Sequence, residues 1–278
     1  MAISASMVKE LREETGVGMM ECKRALEKAN GDKAEAIKLL REAGMALAAK
    51  KATRTAKQGM IAATVSADAK SGRMIEVNCE TDFVTKNPEF QALVKELLAD
   101  AEGLEDNGLA AAVKTKMDEK IAKIGENLVA RRNISYAVQG TGAIVSYVHL
   151  GGKLGVLIEV GFSKPETLAD SGVKEFLSDL ALHVTATAPI CIRREEVPAE
   201  TVEAERAIYV KQVEGKPANI IDKIVAGKMD KYYSQVCLLE QAFVKDQDVT
   251  VAQKMAAVGK AAGDELSIRR FVRWQLGA

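Results

Sequence analysis

The chain carries two histidines, His149 and His183, and four cysteines, Cys22, Cys79, Cys191 and Cys237. A Ser-His-Asp or Cys-His arrangement would have to recruit one of those two histidines, and nothing in the spacing brings a nucleophile to either. His183 shares a helical face with Leu180 and Val184, where a hydrogen-bonded structural histidine is the expected occupant. His149 closes a strand and precedes Gly151 and Gly152, a position that favours contact with something outside the chain. The cysteines include no C-x-x-C pair, and thiols so scattered read as small buried hydrophobes rather than as bridges or metal ligands. Gly151 to Gly155 (GGKLG) lacks the G-x-x-x-x-G-K-[ST] spacing whose amides cradle phosphates, and no G-x-G-x-x-G joins a strand to a helix. The expectation is a protein that is not an enzyme and needs no cofactor and no metal.

The informative stretch is Glu76 to Val84 (EVNCETDFV). It sets a carboxylate, Asp82, beside a large apolar ring, Phe83, directly after a strand. Burying the ring would gain roughly 1.5–3 kcal/mol, and the adjacent charge resists burial. Two readings compete. In one, Phe83 turns into its own core while Asp82 caps a turn. In the other the pair is a probe: the ring enters a partner's pocket and the carboxylate disturbs the charge there.

The elements that must position these residues follow from hydrophobic period. Val8 and Leu11 mark a first helix; Met19, Cys22, Leu26 and Ala29 a second, stopped by Asn30-Gly31; Asp32 with Glu35 forms a capping-box pattern before a third, with Ile37, Leu40, Gly44 and Leu47 on one face. Residues 1–53 thus read as a three-helix bundle and 54–58 as a basic, weakly patterned linker. Alternation through Ile61, Ala63 and Val65, turn residues 68–72, and alternation again through Ile75, Val77 and Cys79 predict a hairpin. A loop over 80–87 leads to a helix opened by Pro88 and lined by Phe90, Leu93, Val94 and Leu97. Leu109, Val113, Met117 and Ile121 predict a further helix ending near Gly125. Strands are expected over 127–138, 141–148 and 154–160, then an amphipathic helix bearing Val173, Phe176, Leu177, Leu180 and Val184, limited by Pro189. Residues 198–235, broken at 215–217, read as a charged helical hairpin that projects outward and is a candidate for pairing with a copy or a partner. A helix over 249–261 and a strand ending at Trp274 complete an α+β fold. Its core has an N-terminal half (59–139) and a C-terminal half (140–197 and 236–278), each with antiparallel strands packed by helices.

Charge names no partner: 39 Lys and Arg balance 39 Asp and Glu. Although 47% of residues are hydrophobic, no apolar run approaches the roughly 20 residues that span a bilayer. Met1 to Lys9 show no secretory pattern, so a cytoplasmic location is expected, with no membrane and no direct nucleic-acid partner. A different class, a ribosome- or RNA-associated adaptor, would use Lys50, Lys51, Arg54 and Lys57, or Arg131 and Arg132, as a phosphate footprint.

Thr15 to Leu26 (TGVGMMECKRAL) followed by Ala29 to Asp32 (ANGD), together with Glu76 to Val84, resemble the two signatures of the bacterial translation elongation factor Ts family. Lys123 to Asn127 (KIGEN) with Arg131-Arg132, Ser146 to His149 (SYVH), Gly155 to Leu157 (GVL), Gly215 to Pro217 (GKP) and Lys223 to Lys228 (KIVAGK) match in the same order, so the resemblance runs from about residue 3 to 276. It implies a guanine nucleotide exchange factor that binds elongation factor Tu, GDP-bound and nucleotide-free, disturbs its Mg²⁺ and phosphate site and promotes GDP release. By position, the N-terminal bundle resembles a ubiquitin-associated domain, and Met19, Met20 and Lys23 inherit its docking contact. Asp82 and Phe83 inherit the intrusion near the nucleotide, framed by Thr81 and Val84 and flanked by Thr85 and Lys86. His149, Ile124 and Gly125 inherit further partner contacts. The hairpin over 198–235 is a candidate for a homodimer or 2:2 assembly, on its own pattern and not on the resemblance. Long family members continue past the position of Ala278 into a C-terminal helical module, so a different affinity is expected, and Ala242 stands where the family pattern has proline, which puts the local turn in question.

Overall fold

Ser4 accepts a hydrogen bond from the Met7 amide and Asp32 from the Glu35 amide. These caps satisfy amides that the first turn of a helix leaves unpaired, and they start α1 (Ala5–Thr15) and α3 (Lys33–Lys51), with α2 (Met19–Lys28) between them. The computed structural model describes residues 3–215 and 217–278, so Lys216, inside the break expected at 215–217, and Met1 and Ala2 lie outside the described residues. Next come β1 (Gln58–Val65), β2 (Ser71–Cys79), a single helical turn α4 (Asp82–Thr85), α5 (Pro88–Asp100), α6 (Leu109–Ala112), α7 (Lys114–Ile124) and β3 (Val129–Ala137). The chain continues through β4 (Gly142–His149), β5 (Leu154–Gly161), α8 (Ser171–Thr187), α9 (Ala199–Lys211), α10 (Ala218–Val236), β6 (Ala242–Phe243), β7 (Asp246–Thr250), α11 (Val251–Ala262) and β8 (Ser267–Gln275). The result is an α+β architecture of small antiparallel sheets covered by helices.

Three local expectations are corrected. The buried stripe of α3 is Ala36, Leu40, Gly44 and Ala48, with Ile37 and Leu47 left half-buried beside it. A Cβ at Gly44 would stand 3.1 Å from that of Ala122 on α7, so small residues let the two helices approach closely. Gln58 belongs to β1, paired with Cys79, and not to the linker. Around Ala242, where a turn was in question, Ala242 pairs with Thr250 in a two-stranded ladder that the alternation pattern was too short to announce.

Two three-stranded sheets, β1-β2-β3 and β4-β5-β8, carry the same construction. In each, the central strand holds a fully buried glutamate at a register shift: Glu76 on β2 and Glu159 on β5. Glu76 accepts from Arg131 Nη1 (3.0 Å), Arg132 Nε (2.7 Å), Asn78 Nδ2 (3.0 Å) and the Gly277 amide (2.9 Å). Glu159 accepts from Arg269 Nη1 (3.1 Å), Arg270 Nε (2.7 Å) and the Gln139 amide (2.7 Å). A carboxylate in an apolar sheet is tolerated only when its lone pairs are filled this way. Burial pushes both carboxyls up, and the converging donors outweigh it and hold them below the ordinary glutamate value. The halves then interlock reciprocally: Arg132 Nη2 donates to the Gln275 carbonyl of β8 (3.1 Å) and Arg270 Nη2 to the Ala137 carbonyl of β3 (2.8 Å).

Apolar cores lie under each sheet. Phe90, Leu93, Val94 and Leu97 of α5 pack with Ile75 and Val77; Val173, Phe176, Leu177, Leu180 and Val184 of α8 pack with Val156, Ile158 and Val160. The α9–α10 hairpin buries a seam of its own, Val213, Val225 and Met229, and leaves Ile208, Val210 and Ile220 exposed. At its base Arg194 lies over the Tyr233 ring at 4.5 Å and bonds Asp230 (2.8 Å). There Cys191 and Cys237, distant in sequence, form a parallel bridge with their sulfurs 3.6 Å apart, both thiols free.

Candidate functional site

Where β2 ends, the Cys79 thiol is buried, donates to the Thr81 carbonyl (3.1 Å) and is pushed up to about 12 by that burial. The chain then makes α4 in place of the expected open loop. The Thr85 hydroxyl donates to the Asp82 carbonyl (2.6 Å), the Lys86 amide to the Phe83 carbonyl (3.2 Å) and the Asn87 amide to the Val84 carbonyl (2.9 Å). One helical turn rotates adjacent side chains by about 100°, and this separates Val84 from Phe83. Val84 enters the core under β2, whereas Phe83 stands 78% exposed and Asp82 is exposed beside it. The inward reading of Phe83 is thereby excluded. Nor does Asp82 cap a turn: the cap position of α4 is Thr81, with no side-chain cap bond, and among the described residues the Asp82 carboxylate accepts no hydrogen bond.

The bend is held from α7. Gly125 ends that helix in the left-handed region (φ 82), and Glu126 immediately after it reaches across to the other chain segment. Glu126 Oε2 accepts from the amides of Glu80 (3.0 Å) and Thr81 (2.9 Å), and Oε1 accepts from the Thr81 hydroxyl (2.6 Å). Glu80 answers by accepting from the Asn127 amide (2.7 Å), which together with Arg54 keeps the Glu80 carboxyl below its ordinary value. Asn127 Nδ2 donates to the Arg54 carbonyl (2.8 Å), and buried Lys51 at the end of α3 donates to the Gly125 carbonyl. Residues 125–127 therefore tie together the third helix, the linker and the bend that carries Phe83.

The other predicted site residues fall around this junction. Met19 and Met20 open α2 and are 53% and 59% exposed; Lys23, one turn on, is exposed and 3.8 Å from Glu27. The loop before them packs on α7, since a Cβ on Gly16 would fall 2.6 Å from Lys123 Nζ. Ile124 is half-buried and Gly125 exposed. His149 ends β4 half-buried, its Nδ1 2.9 Å from the Tyr147 hydroxyl. Its turn sits at the start of β1, through the Ile61 amide bonded to the Gly152 carbonyl (2.8 Å) and Lys153 Nζ to Gln58 Oε1 (2.9 Å). Because Gln58 pairs with Cys79, this turn and the Phe83 bend leave the same end of the sheet. The structure joins Thr81 to Ile124 and Gly125 through Glu126. It places no direct contact between Phe83 and His149 or the Met19-Met20 pair. Sequence reading passed over Glu126 and Asn127, although they stand inside the KIGEN motif; only their long-range partners reveal their task.

The proposed phosphate footprint is largely committed elsewhere. Arg131 and Arg132 bind Glu76, Lys51 is buried on Gly125, and Arg54 lies 3.4 Å from Glu80. His183 is a structural histidine, donating from Nε2 to Gln241 Oε1 (2.9 Å) and accepting the Val244 amide on Nδ1 (3.1 Å). Among the described residues, no cluster of three His, Cys, Asp or Glu side chains could hold a metal, and no helix is long and apolar enough to cross a membrane.

The family model described as Elongation factor TS matches residues 80–278. The whole chain is 42% identical to elongation factor Ts of Trichlorobacter lovleyi, spanning 93% of it, and 44% identical to elongation factor Ts of Nitratiruptor, spanning 94%. Elongation factor Ts of Nitratidesulfovibrio vulgaris is 41% identical over the whole chain, which covers 96% of that relative. With the first signature on α2, the second carrying the exposed Phe83, and relatives matching across the whole chain, this chain belongs to the elongation factor Ts family of translation elongation factors.

Proposed function

We propose that this protein is a guanine nucleotide exchange factor for elongation factor Tu, acting by binding alone and making or breaking no covalent bond. The observation that carries the reading is Phe83: an aromatic side chain 78% exposed, beside an exposed carboxylate, on a turn pinned by Val84 inside and Glu126 alongside. An exposed ring loses burial energy in the free protein, and a partner's pocket returns it.

A GTPase holds GDP through phosphate contacts and through Mg²⁺, which requires near-octahedral oxygen ligands and tolerates little distortion. A ring that displaces one ligand-bearing segment, with a carboxylate nearby to reposition water or ligands, weakens the nucleotide; each roughly 1.4 kcal/mol of coupling is tenfold. Coupling is reciprocal, so incoming nucleotide expels the factor. Met19, Met20 and Lys23 supply the docking contact, and Ile124, Gly125 and His149 extend it. The intramolecular commitments of Lys51, Arg54, Arg131 and Arg132 favour this reading over the RNA adaptor. Ile208, Val210 and Ile220 on the hairpin are the surface for self-association, and the site of action is the cytoplasm.

The test is release of labelled GDP from elongation factor Tu at fixed Mg²⁺, with and without this protein. Acceleration saturating with factor concentration is expected; an unchanged rate would refute the proposal.

A further inference from the structure

One kind of clasp occurs twice in the fold, and only one copy holds an exposed ring. After β2, Glu126 gathers the amides of Glu80 and Thr81 and the Thr81 hydroxyl. After β5, Asp264 gathers the amides of Ser163 (3.1 Å) and Lys164 (3.0 Å) and the Thr167 hydroxyl. Each acid directly follows a left-handed glycine that ends a helix, Gly125 after α7 and Gly263 (φ 65) after α11. In the second half the clasped turn leads to Pro165 and Glu166; in the first it leads to Asp82 and Phe83.

Locally, α4 is held by Val84 in the core and by the Thr85 hydroxyl on the Asp82 carbonyl, which set the inner face of the turn. A helix of four residues does not persist by itself, and Thr81 makes no side-chain bond to it. The entry to the turn is fixed in addition by a carboxylate 45 residues away in sequence from Thr81 that takes two successive backbone donors and a hydroxyl. Charge-assisted bonds of this kind are short and strongly directional.

We propose that Glu126 is a positioning residue for nucleotide release: its carboxylate fixes the direction in which the turn presents Phe83, so that ordering is completed in the free protein and not during binding. The inference rests on the exchange reading above. Preorganisation acts on how often a bound probe reaches the productive geometry, while affinity is spread over several contacts. Losing the clasp therefore lowers the maximal rate more than it weakens binding.

The test compares Glu126→Ala, Glu126→Gln and Asp264→Ala in GDP release from elongation factor Tu across factor concentrations, alongside amide hydrogen exchange of the free proteins. In Glu126→Gln the side-chain carbonyl oxygen can still accept both amides and the NH₂ group can donate to the Thr81 hydroxyl, so this variant should retain most of the rate. The Ala variant should lose about tenfold or more of the maximal rate, with half-saturation shifted less than about threefold, and lose protection at Glu80 and Thr81. Asp264→Ala breaks the matching clasp, controls for general loss of stability, and should keep the wild-type maximal rate. Equal maximal rates for Glu126→Ala and wild type, or equal losses in Glu126→Ala and Asp264→Ala, would overturn the proposal while leaving exchange intact. A wild-type protein that fails to accelerate release would sink the exchange reading itself and this role with it.

Discussion

Arg132 lies over the indole of Trp274, its guanidinium carbon 4.5 Å from the ring centroid, while its Nε is bonded to buried Glu76. Arg270 repeats the arrangement over Tyr136 at 4.0 Å while bound to Glu159. Each arginine thus neutralises a charge inside its own half and stacks on an aromatic of the other, so the two sheets are joined at the points where each is electrostatically most demanding.

Glu76→Gln should cost about 3 kcal/mol, because it leaves Arg131 and Arg132 facing a neutral amide in a site built for a carboxylate. Trp274→Ala should cost about 3–5 kcal/mol by removing a buried ring. Urea denaturation measures both, and a loss under about 1 kcal/mol for either would mean the inter-half contact is dispensable.

Phe83→Ala separates folding from function. With the ring 78% exposed, the unfolding free energy should move by less than about 0.5 kcal/mol. The maximal rate of GDP release from elongation factor Tu should fall at least about tenfold, and Asp82→Ala should lower it too. An unchanged maximal rate with only binding weakened would make the pair a docking contact.

Lys23→Ala should do the reverse. Its salt bridge to Glu27 is long and exposed, so stability should be unaffected, and the half-saturating factor concentration should rise with little change in maximal rate. A large loss of rate at saturation would contradict a docking role.

Stability should fall on the acid side of neutrality through His183. Burial lowers its folded value below the ordinary 6.5, with the Gln241 bond opposing in part, and a proton on Nδ1 would displace the Val244 amide. The unfolded chain takes up that proton first. The contribution is therefore complete above about pH 6.5 and lost as pH falls through that value toward the folded one, at up to about 1.4 kcal/mol per pH unit. Denaturation midpoints of wild type and His183→Gln between pH 5 and 8 should diverge in slope; parallel curves would rule this out.

Cys79, Cys191 and Cys237 should be nearly inert in the native protein. Burial pushes the Cys79 and Cys237 thiols up to about 12 and raises Cys191, so the reactive thiolate is scarce at neutral pH. Iodoacetamide labelling followed by mass spectrometry should find Cys191 and Cys237 unmodified until denaturant is added. Rapid native labelling there would show that the base of the α9–α10 hairpin opens.

Much of the architecture was legible in one dimension because it depends on period. The three- and four-residue recurrence of Phe90, Leu93, Val94 and Leu97 and the alternation of Ile75, Val77 and Cys79 produced the helix and strand observed. The signatures around Met19 and Phe83 were enough to identify the family from the residues alone. Whether Phe83 turned inward or outward was not legible: an aromatic beside an aspartate satisfies either description until a helical turn sends Val84 to the core and leaves Phe83 outside.

The sequence by itself determined the types of the long elements, the α+β class and the family, since local periodicity and contiguous motifs are properties of neighbouring residues, whereas the short α4, β6 and β7 were not announced by it. Tertiary structure alone decided that Glu126 holds Thr81, that Glu76 and Glu159 are buried and paired with double arginines, and that Cys191 meets Cys237. The physical reason is that a carboxylate's or thiol's role is set by the donors and the solvent around it, and those come from segments tens of residues away that only the folded chain brings within hydrogen-bonding reach.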